Sequence, residues 1–236
     1  MRTSNKILLG GFVATILILV GIHVALYAKY KRGDTKDLRD LIGETVTQDL
    51  GNIKIISITG LQECTIIAAD TARLQMDKHW KGSFSFRING DSLVVEGNKS
   101  IEEYARGNRV GLPITLHLPS VELINMQYGG LTLLGADSAK ATSQKIVLSN
   151  STLQFATMDK DSKKGMWNNL TIDAQENTEI NFPKHGTINY LDVTLSNNST
   201  LHDHGVRVES FLLKMDSTSS AALRMHNLEK LKQNKQ

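Results

Sequence analysis

A strand, corner, strand pattern recurs through the second half of the chain and constrains its fold more than any other feature. Residues 146–155, IVLSNSTLQF, return in altered form at residues 192–201 as DVTLSNNSTL. The apolar residue that follows each corner recurs at spacings of 22, 27, 21 and 22 residues, in the series Leu131, Leu153, Ile180, Leu201 and Leu223. A period near 22 is typical of stacked repeats, in which each repeat covers the apolar face of the previous one.

Apolar and polar residues also alternate before each corner, which is a strand pattern. The preceding apolar pairs are Ile124/Met126, Ile146/Leu148, Leu170/Ile172, Val193/Leu195 and Leu213/Met215. Ser, Asn and Thr dominate the corners because their short side chains tolerate tight turns and bond to nearby backbone. Leucine-rich repeats share the period, but the Leu-x-x-Leu-x-Leu pattern that they need is missing. The sequence therefore predicts an all-β domain over residues 53–223, built as a parallel β-helix.

Upstream of these repeats, residues 84–97 read FSFRINGDSLVVEG. Apolar residues alternate on both sides of Asn89-Gly90, and Asn-Gly favours the positive φ angles that tight hairpins need. We predict a β-hairpin here. We expect the hairpin region to cover one end of the β-helix, and the segment after Leu223 to cover the other end.

The amino-terminal segment is apolar, since residues 7–28 contain no Lys, Arg, Asp or Glu over 22 positions. As a helix rising about 1.5 Å per residue, such a segment crosses the hydrocarbon layer of about 30 Å. We expect a single transmembrane helix, with a short flank at residues 1–6 and a charged juxtamembrane linker at residues 29–52. A cleaved signal peptide is the alternative, but no Ala-x-Ala pattern follows the apolar run. The Ser/Thr/Asn-rich remainder favours a carboxyl-terminal domain outside the cytoplasm.

Several stretches carry a resemblance to a known family: ISITGLQECTIIAADTARLQM, INGDSLVVEG, LPITLHLPSVELINMQYGGLTLLG and the later Ser/Asn/Thr-rich corners. They resemble the bacterial GIN-domain proteins, which are described as auto-transporter adhesin heads, over roughly residues 53–225. The resemblance implies a right-handed parallel β-helix at the bacterial cell envelope, anchored in the cell membrane by the helix at residues 7–28. It carries over no catalytic residues. The corners depart from the family in having few glycines.

Composition excludes several function classes. The formal charge is only +3, and Lys and Arg form no stripe of the kind that nucleic-acid binders present, so no nucleic-acid partner is expected. The densest basic run, at residues 224–236, reads as a solvated tail. Cys64 is the only cysteine and lies between apolar or β-forming neighbours, which favours a small buried side chain. Nucleotide-binding and hydrolase motifs are missing from the sequence, and no cofactor is expected.

Two stretches contain candidate site residues. The insertion that produces the 27-residue spacing predicts a recognition loop, in which tryptophan can stack on a sugar ring or instead cover the flank of the column. Its candidate residues are Asp159, Asp161, Lys163, Lys164 and Trp167. His202 and His204 point the same way on a strand, so they are candidate metal ligands, with an ordinary polar corner as the alternative.

The sequence favours a non-enzymatic envelope protein that displays a β-helical surface for adhesion, scaffolding or binding of a glycan or an envelope protein. The alternative is a carbohydrate-active enzyme, a polysaccharide lyase or hydrolase, that uses residues 156–169 and the neighbouring repeats. Such enzymes need carboxylates clustered on one face. The sequence indicates no oligomeric state.

Overall fold

The computed structural model describes residues 3–31, 45–77, 83–100, 103, 110–134, 143–156 and 166–233. The chain divides into two compact units, Met1–Glu44 and Thr45–Gln236. The first unit contains helix α1, Thr3–Lys31. Over the described residues, no helix is identified that combines the length and the apolar character needed to cross a bilayer. This finding corrects the prediction of a transmembrane helix at residues 7–28.

The described part of the second unit consists of β-strands and one carboxyl-terminal helix. In chain order these are β1 (Thr45–Asp49), β2 (Ile55–Thr59), β3 (Leu61–Ala68), β4 (Arg73–Asp77), β5 (Phe84–Asn89), β6 (Ser92–Gly97), β7 (Val110–Leu118), β8 (Leu123–Gln127), β9 (Gly130–Leu134), β10 (Ser143–Ser149), β11 (Thr152–Ala156), β12 (Met166–Gln175), β13 (Glu179–Asn181), β14 (Thr187–Leu195), β15 (Thr200–His202), β16 (Arg207–Met215), β17 (Ser220–Ala222) and α2 (Met225–Gln233). Strand β1 lies within the predicted linker, and α2 lies within the predicted basic tail.

The strands form two sheets. The nine-stranded sheet has the order β1-β4-β7-β3-β9-β11-β13-β15-β17, and the eight-stranded sheet has the order β16-β14-β12-β10-β8-β2-β6-β5. From β8 to β17, successive strands alternate between the sheets, and each pairs in parallel with the strand two places further along the chain. The inward apolar side chains of both sheets belong to one buried cluster. The second unit therefore has a single core.

The predicted right-handed parallel β-helix is wrong, because the structure contains two mixed sheets. Strand β1 runs antiparallel to β4, β4 runs antiparallel to β7, and β5 runs antiparallel to β6. Strand order also departs from chain order, since β2 and β3 lie between the later pairs β6/β7 and β8/β9. Chain reversals in the first half produce these features, whereas a regular coil would place every strand parallel and in sequence.

The predicted hairpin is confirmed. Strands β5 and β6 pair in antiparallel register, with Phe86 opposite Val95 and Asn89 opposite Ser92. The two loop residues are thus residues 90 and 91, one position later than predicted. Gly90 has a φ of 63°, and glycine adopts this left-handed conformation without a steric penalty. A glycine at the first loop position is typical of the type II′ turn.

The inward columns of the repeats are mostly as predicted. Ile146 pairs with Ile124 on one side, and Leu153 pairs with Leu131. Two assignments are wrong. On β12, the residues that align with Ile146 and Leu148 of β10 are Ile172 and Ala174, instead of the predicted Leu170 and Ile172. On β17, the residue that aligns with Leu201 of β15 is Ala221, instead of the predicted Leu223. In both cases an alanine occupies the inward position that the sequence pattern assigned to a larger apolar residue.

Four corners, those that follow β8, β10, β12 and β14, place a left-handed residue just before a small buried one. The left-handed residues have φ angles of 54°, 49°, 58° and 64°, at Tyr128, Asn150, Asn177 and Asn198. Asparagine tolerates this conformation better than most residues. The small residues that follow are Gly129, Ser151, Thr178 and Ser199. They stack across the corners because the strands that follow them are in register.

The carboxyl-terminal end is closed by α2, which packs against β16. Asn227 is 1% exposed and donates to the Asp203 carboxylate at 2.7 Å and to the Val206 carbonyl at 2.8 Å. It accepts the Val208 N–H at 3.1 Å, while Asp203 also accepts the Gly205 N–H at 2.9 Å. Asp203 interrupts the apolar column after Leu201, and this bonding explains why a carboxylate occupies the position.

Candidate binding surface

One row of outward side chains crosses the whole nine-stranded sheet without a formally charged residue. Strand alternation points these residues away from the core, because their immediate neighbours along each strand are the inward ones. The register aligns Thr47, Gln75, Thr115, Thr65, Thr132, Gln154, Asn181, His202 and Ala222. We call these nine residues the neutral row. All but Ala222 carry a hydroxyl, an amide or an imidazole, and hydroxyls and amides both donate and accept hydrogen bonds.

The neutral row is long and accessible. Adjacent strands lie about 4.8 Å apart, so the eight steps across the sheet span about 38 Å. Thr47 and Gln154 are exposed, and the members between them in the sheet are half-buried. The Thr115, Thr65 and Thr132 side chains lie on three adjacent strands, so their hydroxyls form a continuous segment. A surface of this length suits an extended ligand better than a compact one.

One flank of the neutral row is acidic. Two positions along the strands from row members, on the same face, lie Asp77, Glu63 and Glu179. Glu179 accepts a hydrogen bond from the Asn181 amide at 2.9 Å. The other described residues at this position are Thr45, Gly130, Thr152, Thr200 and Ser220, so the described part of the flank has no Lys or Arg. The carboxylates of Glu63 and Glu179 beside the row disfavour an anionic ligand there.

The other flank is partly apolar. Ile67, Leu134 and Ala156 lie side by side on adjacent strands, and all three are half-buried. Further along the same flank, His117 lies opposite both Ile67 and Arg73. The row thus has carboxylates on one side, while the other side combines an aliphatic strip on β3, β9 and β11 with His117, Arg73 and Asp49.

The outward face of the eight-stranded sheet is different, because charges interrupt it. Its central aligned row is Val94, Ser57, Asn125, Val147, Asp173, Thr194 and Lys214. Asp173 forms a 2.9 Å ion pair with Lys145 in the neighbouring row. Two half-exposed threonines, Thr171 and Thr194, lie on this face and are the chemical equivalents of the row threonines. They provide matched control positions.

The predicted recognition loop is described only in part. Asp159, Asp161, Lys163 and Lys164 lie outside the described residues, so their assignment as binding residues stays a prediction. Trp167 is 8% exposed, and its ring contacts Phe155 edge to face, with 5.2 Å between the ring centroids. Phe155 stacks in turn on Phe182 at 4.9 Å. Trp167 therefore covers the core, which was the alternative role considered for it.

The two histidines lie together at the carboxyl-terminal end of the nine-stranded sheet. The His202 and His204 rings are 6.3 Å apart and nearly parallel. His202 Nε2 lies 4.0 Å from the Glu179 carboxylate. Over the described residues, no group of three or more His, Cys, Asp or Glu side chains is arranged to hold a metal ion. Metal binding by His202 and His204 stays a prediction, while His202 is a member of the neutral row.

Cys64 has the chemistry of a core residue. Its side chain is 1% exposed, and burial raises the pKa of its thiol to about 12. Desolvation disfavours the thiolate, which is the nucleophilic form of cysteine. The expectation of a small buried side chain is confirmed.

The neutral row was missed at the level of sequence, although part of it has a signal there. Thr132, Gln154, Asn181 and His202 each follow the inward residue of the repeat by one position, so they recur with the same spacing. The members on β1, β4, β7 and β3 have no such period. Their alignment depends on the strand order of the first half, which no repeat predicts.

Comparison with known proteins gives only distant similarities. No family model and no curated protein matches the chain. A solved structure from Bacteroides fragilis, described as a "putative adhesin", is 11% identical, covers 76% of this chain and 97% of its own, and has a TM-score of 0.35. One from Parabacteroides merdae with the same description is 10% identical, covers 76% and 96%, and has a TM-score of 0.31.

A third structure, from Parabacteroides distasonis, is described as a "putative lipid binding protein". It is 13% identical, covers 76% of this chain and 96% of its own, and has a TM-score of 0.27. TM-scores this low do not establish a shared fold. The similar structures are described as adhesins or as a lipid-binding protein, and membership of the GIN-domain family stays a prediction.

Proposed function

We propose that this protein is a non-enzymatic, adhesin-like binding protein whose ligand-contacting surface is the neutral row. The observation that carries the proposal is the alignment of nine outward positions on nine strands without one Asp, Glu, Lys or Arg. About 22% of the chain is charged, and charged residues occur on the other outward face. Neutral groups that both donate and accept hydrogen bonds can contact a ligand at many points at once.

Binding fits this surface better than catalysis does. General acid-base chemistry needs titratable groups within hydrogen-bond reach of one reacting atom, and nucleophilic catalysis needs an activated nucleophile. The neutral row spreads its polar groups over about 38 Å and concentrates none of them. The only cysteine is buried with a raised thiol pKa. The resemblance to the GIN-domain proteins also favours a location at the bacterial cell envelope, outside the cytoplasm.

The proposal can be tested with the purified full-length chain on an array of glycans and envelope or extracellular proteins. We compare the wild type with Thr132→Lys, which places a charge in the row, and with Thr194→Lys, which adds the same charge to the other sheet. Both threonines are half-buried and outward; Thr132 lies on the central strand β9, and Thr194 lies on β14, next to the edge strand β16. We expect Thr132→Lys to weaken binding about tenfold, and Thr194→Lys to leave it unchanged.

Circular dichroism checks that both variants fold. Equal binding by wild type and Thr132→Lys would show that the row is not the contact surface. Release of small products from any array member during incubation, detected by mass spectrometry, would contradict the non-enzymatic role.

A further inference from the structure

We infer that the ligand of the neutral row is a linear, uncharged polysaccharide. This inference rests on the proposed function and adds the chemical class of the ligand. It depends on three properties of the surface: the hydrogen-bonding character of the row, the different chemistry of its two flanks and its length.

The row matches the chemistry of sugar hydroxyls. Each sugar hydroxyl can donate one hydrogen bond and accept others, as threonine hydroxyls and asparagine or glutamine amides also can. On the three adjacent strands β7, β3 and β9 the row presents Thr115, Thr65 and Thr132, and Gln154 follows on β11. Lysine and arginine offer donors alone, and carboxylates offer acceptors alone. A neutral hydroxyl-rich ligand can satisfy this mixed set with few groups left unpaired.

The flanks favour a neutral sugar chain over an acidic one. Glu63 and Glu179 line one side of the row. A uronic acid or sulfated polymer would place like charges beside these carboxylates, which is unfavourable within a Debye length of about 8 to 10 Å. On the other side, Ile67 and Leu134 present aliphatic surface. Sugar rings carry C–H groups as well as hydroxyls, so a ring can contact both the row and the aliphatic strip.

The length of the row favours a polymer over a short oligosaccharide. Each hydrogen bond to a solvated surface contributes little to the affinity. Repeated contacts along about 38 Å sum to useful affinity, because each later contact is made within a complex already formed. Strand spacing repeats the contact groups regularly across the sheet, and a polymer repeats its hydroxyls regularly along its chain. The affinity should therefore rise steeply with the number of sugar units.

The test uses the full-length chain with five probes: a linear β-glucan, a mannan, a short glucan oligosaccharide, polygalacturonate and an immobilised extracellular-matrix protein. We expect the β-glucan or the mannan to bind at least about tenfold more tightly than polygalacturonate and the oligosaccharide. Affinity for the neutral polymer should not change with salt concentration, because exposed charges carry little of it.

Paired variants locate the contact. The double variant Thr65→Val/Thr132→Val removes two row hydroxyls while keeping β-branched shape, and Thr171→Val/Thr194→Val does the same on the other sheet. We expect the row variant to weaken polymer binding about tenfold and the control to leave it unchanged. Circular dichroism and thermal unfolding confirm that both variants retain the fold.

Each of the other outcomes would contradict a specific part of the proposal. If only the matrix protein binds, and the row valines weaken it, the ligand class is wrong while the proposed binding surface stands. If polygalacturonate binds as tightly as the neutral polymers, the argument from the acidic flank is wrong. If the row valines change no binding at all, both the ligand class and the proposed function are overturned.

Discussion

Equivalent positions in two neighbouring corners hold Gly129 and Ser151, for different physical reasons. A Cβ at Gly129 would clash with the Leu61 carbonyl oxygen and with Met126 Cε. The register of β3 shifts between Leu61 and Glu63, and its backbone approaches the corner there. The Ser151 hydroxyl instead has room and donates to the Ser149 carbonyl at 2.7 Å. The same corner position therefore requires a small residue for two different reasons. In one corner a neighbouring backbone leaves no room for a side chain, and in the next corner the serine hydroxyl forms a hydrogen bond.

The largest loss of stability is expected from a substitution at Gly129. Gly129→Ala should lower the free energy of unfolding by about 3 kcal/mol or more, because the backbone of β3 cannot retreat from the new methyl group. Urea denaturation measures the change. The control is Gly51→Ala, where φ is 72° and no atom lies within 4 Å of a Cβ, so only a conformational penalty of about 1 kcal/mol is expected. Equal losses in the two variants would contradict the steric explanation.

The serine corner should be the next most sensitive. Ser151→Ala should lower the free energy of unfolding by about 2 kcal/mol, because the buried Gly129 N–H loses its 3.3 Å acceptor and the half-buried Ser149 carbonyl, which keeps the Tyr128 N–H at 3.1 Å, loses its 2.7 Å donor. The half-exposed Ser210 on β16 is the matched control, and Ser210→Ala should stay within about 0.5 kcal/mol of wild type. A loss at Ser151 no larger than this would mean that the hydroxyl only fills space.

The left-handed residue that precedes the small corner residue should contribute less to the free energy of unfolding. Asn198 has a φ of 64°, and its N–H donates to Thr218 Oγ1 at 3.0 Å, a bond that does not depend on its side chain. Asn198→Ala should therefore lower the free energy of unfolding by about 1 kcal/mol through conformational strain alone. Asn198→Gly should match wild type or nearly so. If the glycine variant is as unstable as the alanine variant, the asparagine side chain has a role beyond its backbone preference.

The smallest loss of stability at neutral pH is expected from a substitution at Asp216, in the last corner. At the inner corners a backbone N–H donates to a carbonyl of the next corner, as from Asn177 to Asn197 at 2.9 Å, whereas the Asn197 N–H donates to a side chain of the last corner. There the Asp216 carboxylate accepts the Asn197 N–H at 2.8 Å and the Ser219 N–H at 2.9 Å. These hydrogen bonds lower the pKa of Asp216 from its ordinary value of 3.8.

Because the folded state lowers this pKa, the stabilisation by Asp216 is present above pH 3.8 and is lost as the pH falls further toward the folded-state pKa. Asp216→Asn should therefore lower the melting temperature at pH 7, and the gap between variant and wild type should narrow below pH 3.8. Thermal unfolding at several pH values measures this. A gap that stays constant with pH would show that the charge of Asp216 is not what stabilises the corner.

Much of the second half of the fold could be predicted from the sequence. Its inward columns follow a period set by large apolar residues, and its corners use residues with clear turn preferences. The errors came from Ala174 and Ala221, which fill inward positions with little apolar signal of their own. The corner lengthens by one residue at that point: five positions separate Leu148 from Leu153, whereas six separate Ala174 from Ile180. The sequence pattern instead assigned these inward positions to the nearest leucine or isoleucine.

The first half and the site were harder to predict. The placement of β6/β7 outside β2/β3 depends on pairings between segments that do not resemble one another, so no repeat indicates it. The neutral row could not be predicted for the same reason, because Thr65 and Thr132 become neighbours only through that strand order. The sequence left Trp167 with two roles, because polar residues lie beside it, and its packing on Phe155 shows the covering role.

The strand order has a consequence for synthesis on the ribosome. Strands β2 and β3 emerge first, but their partners on one side are β6 and β7 and on the other side β8 and β9. Every strand from β10 onward, in contrast, meets a partner already translated. We therefore expect a nascent chain to pair β2 and β3 only after β6 to β9 have been translated, and afterwards to add the later strands one at a time.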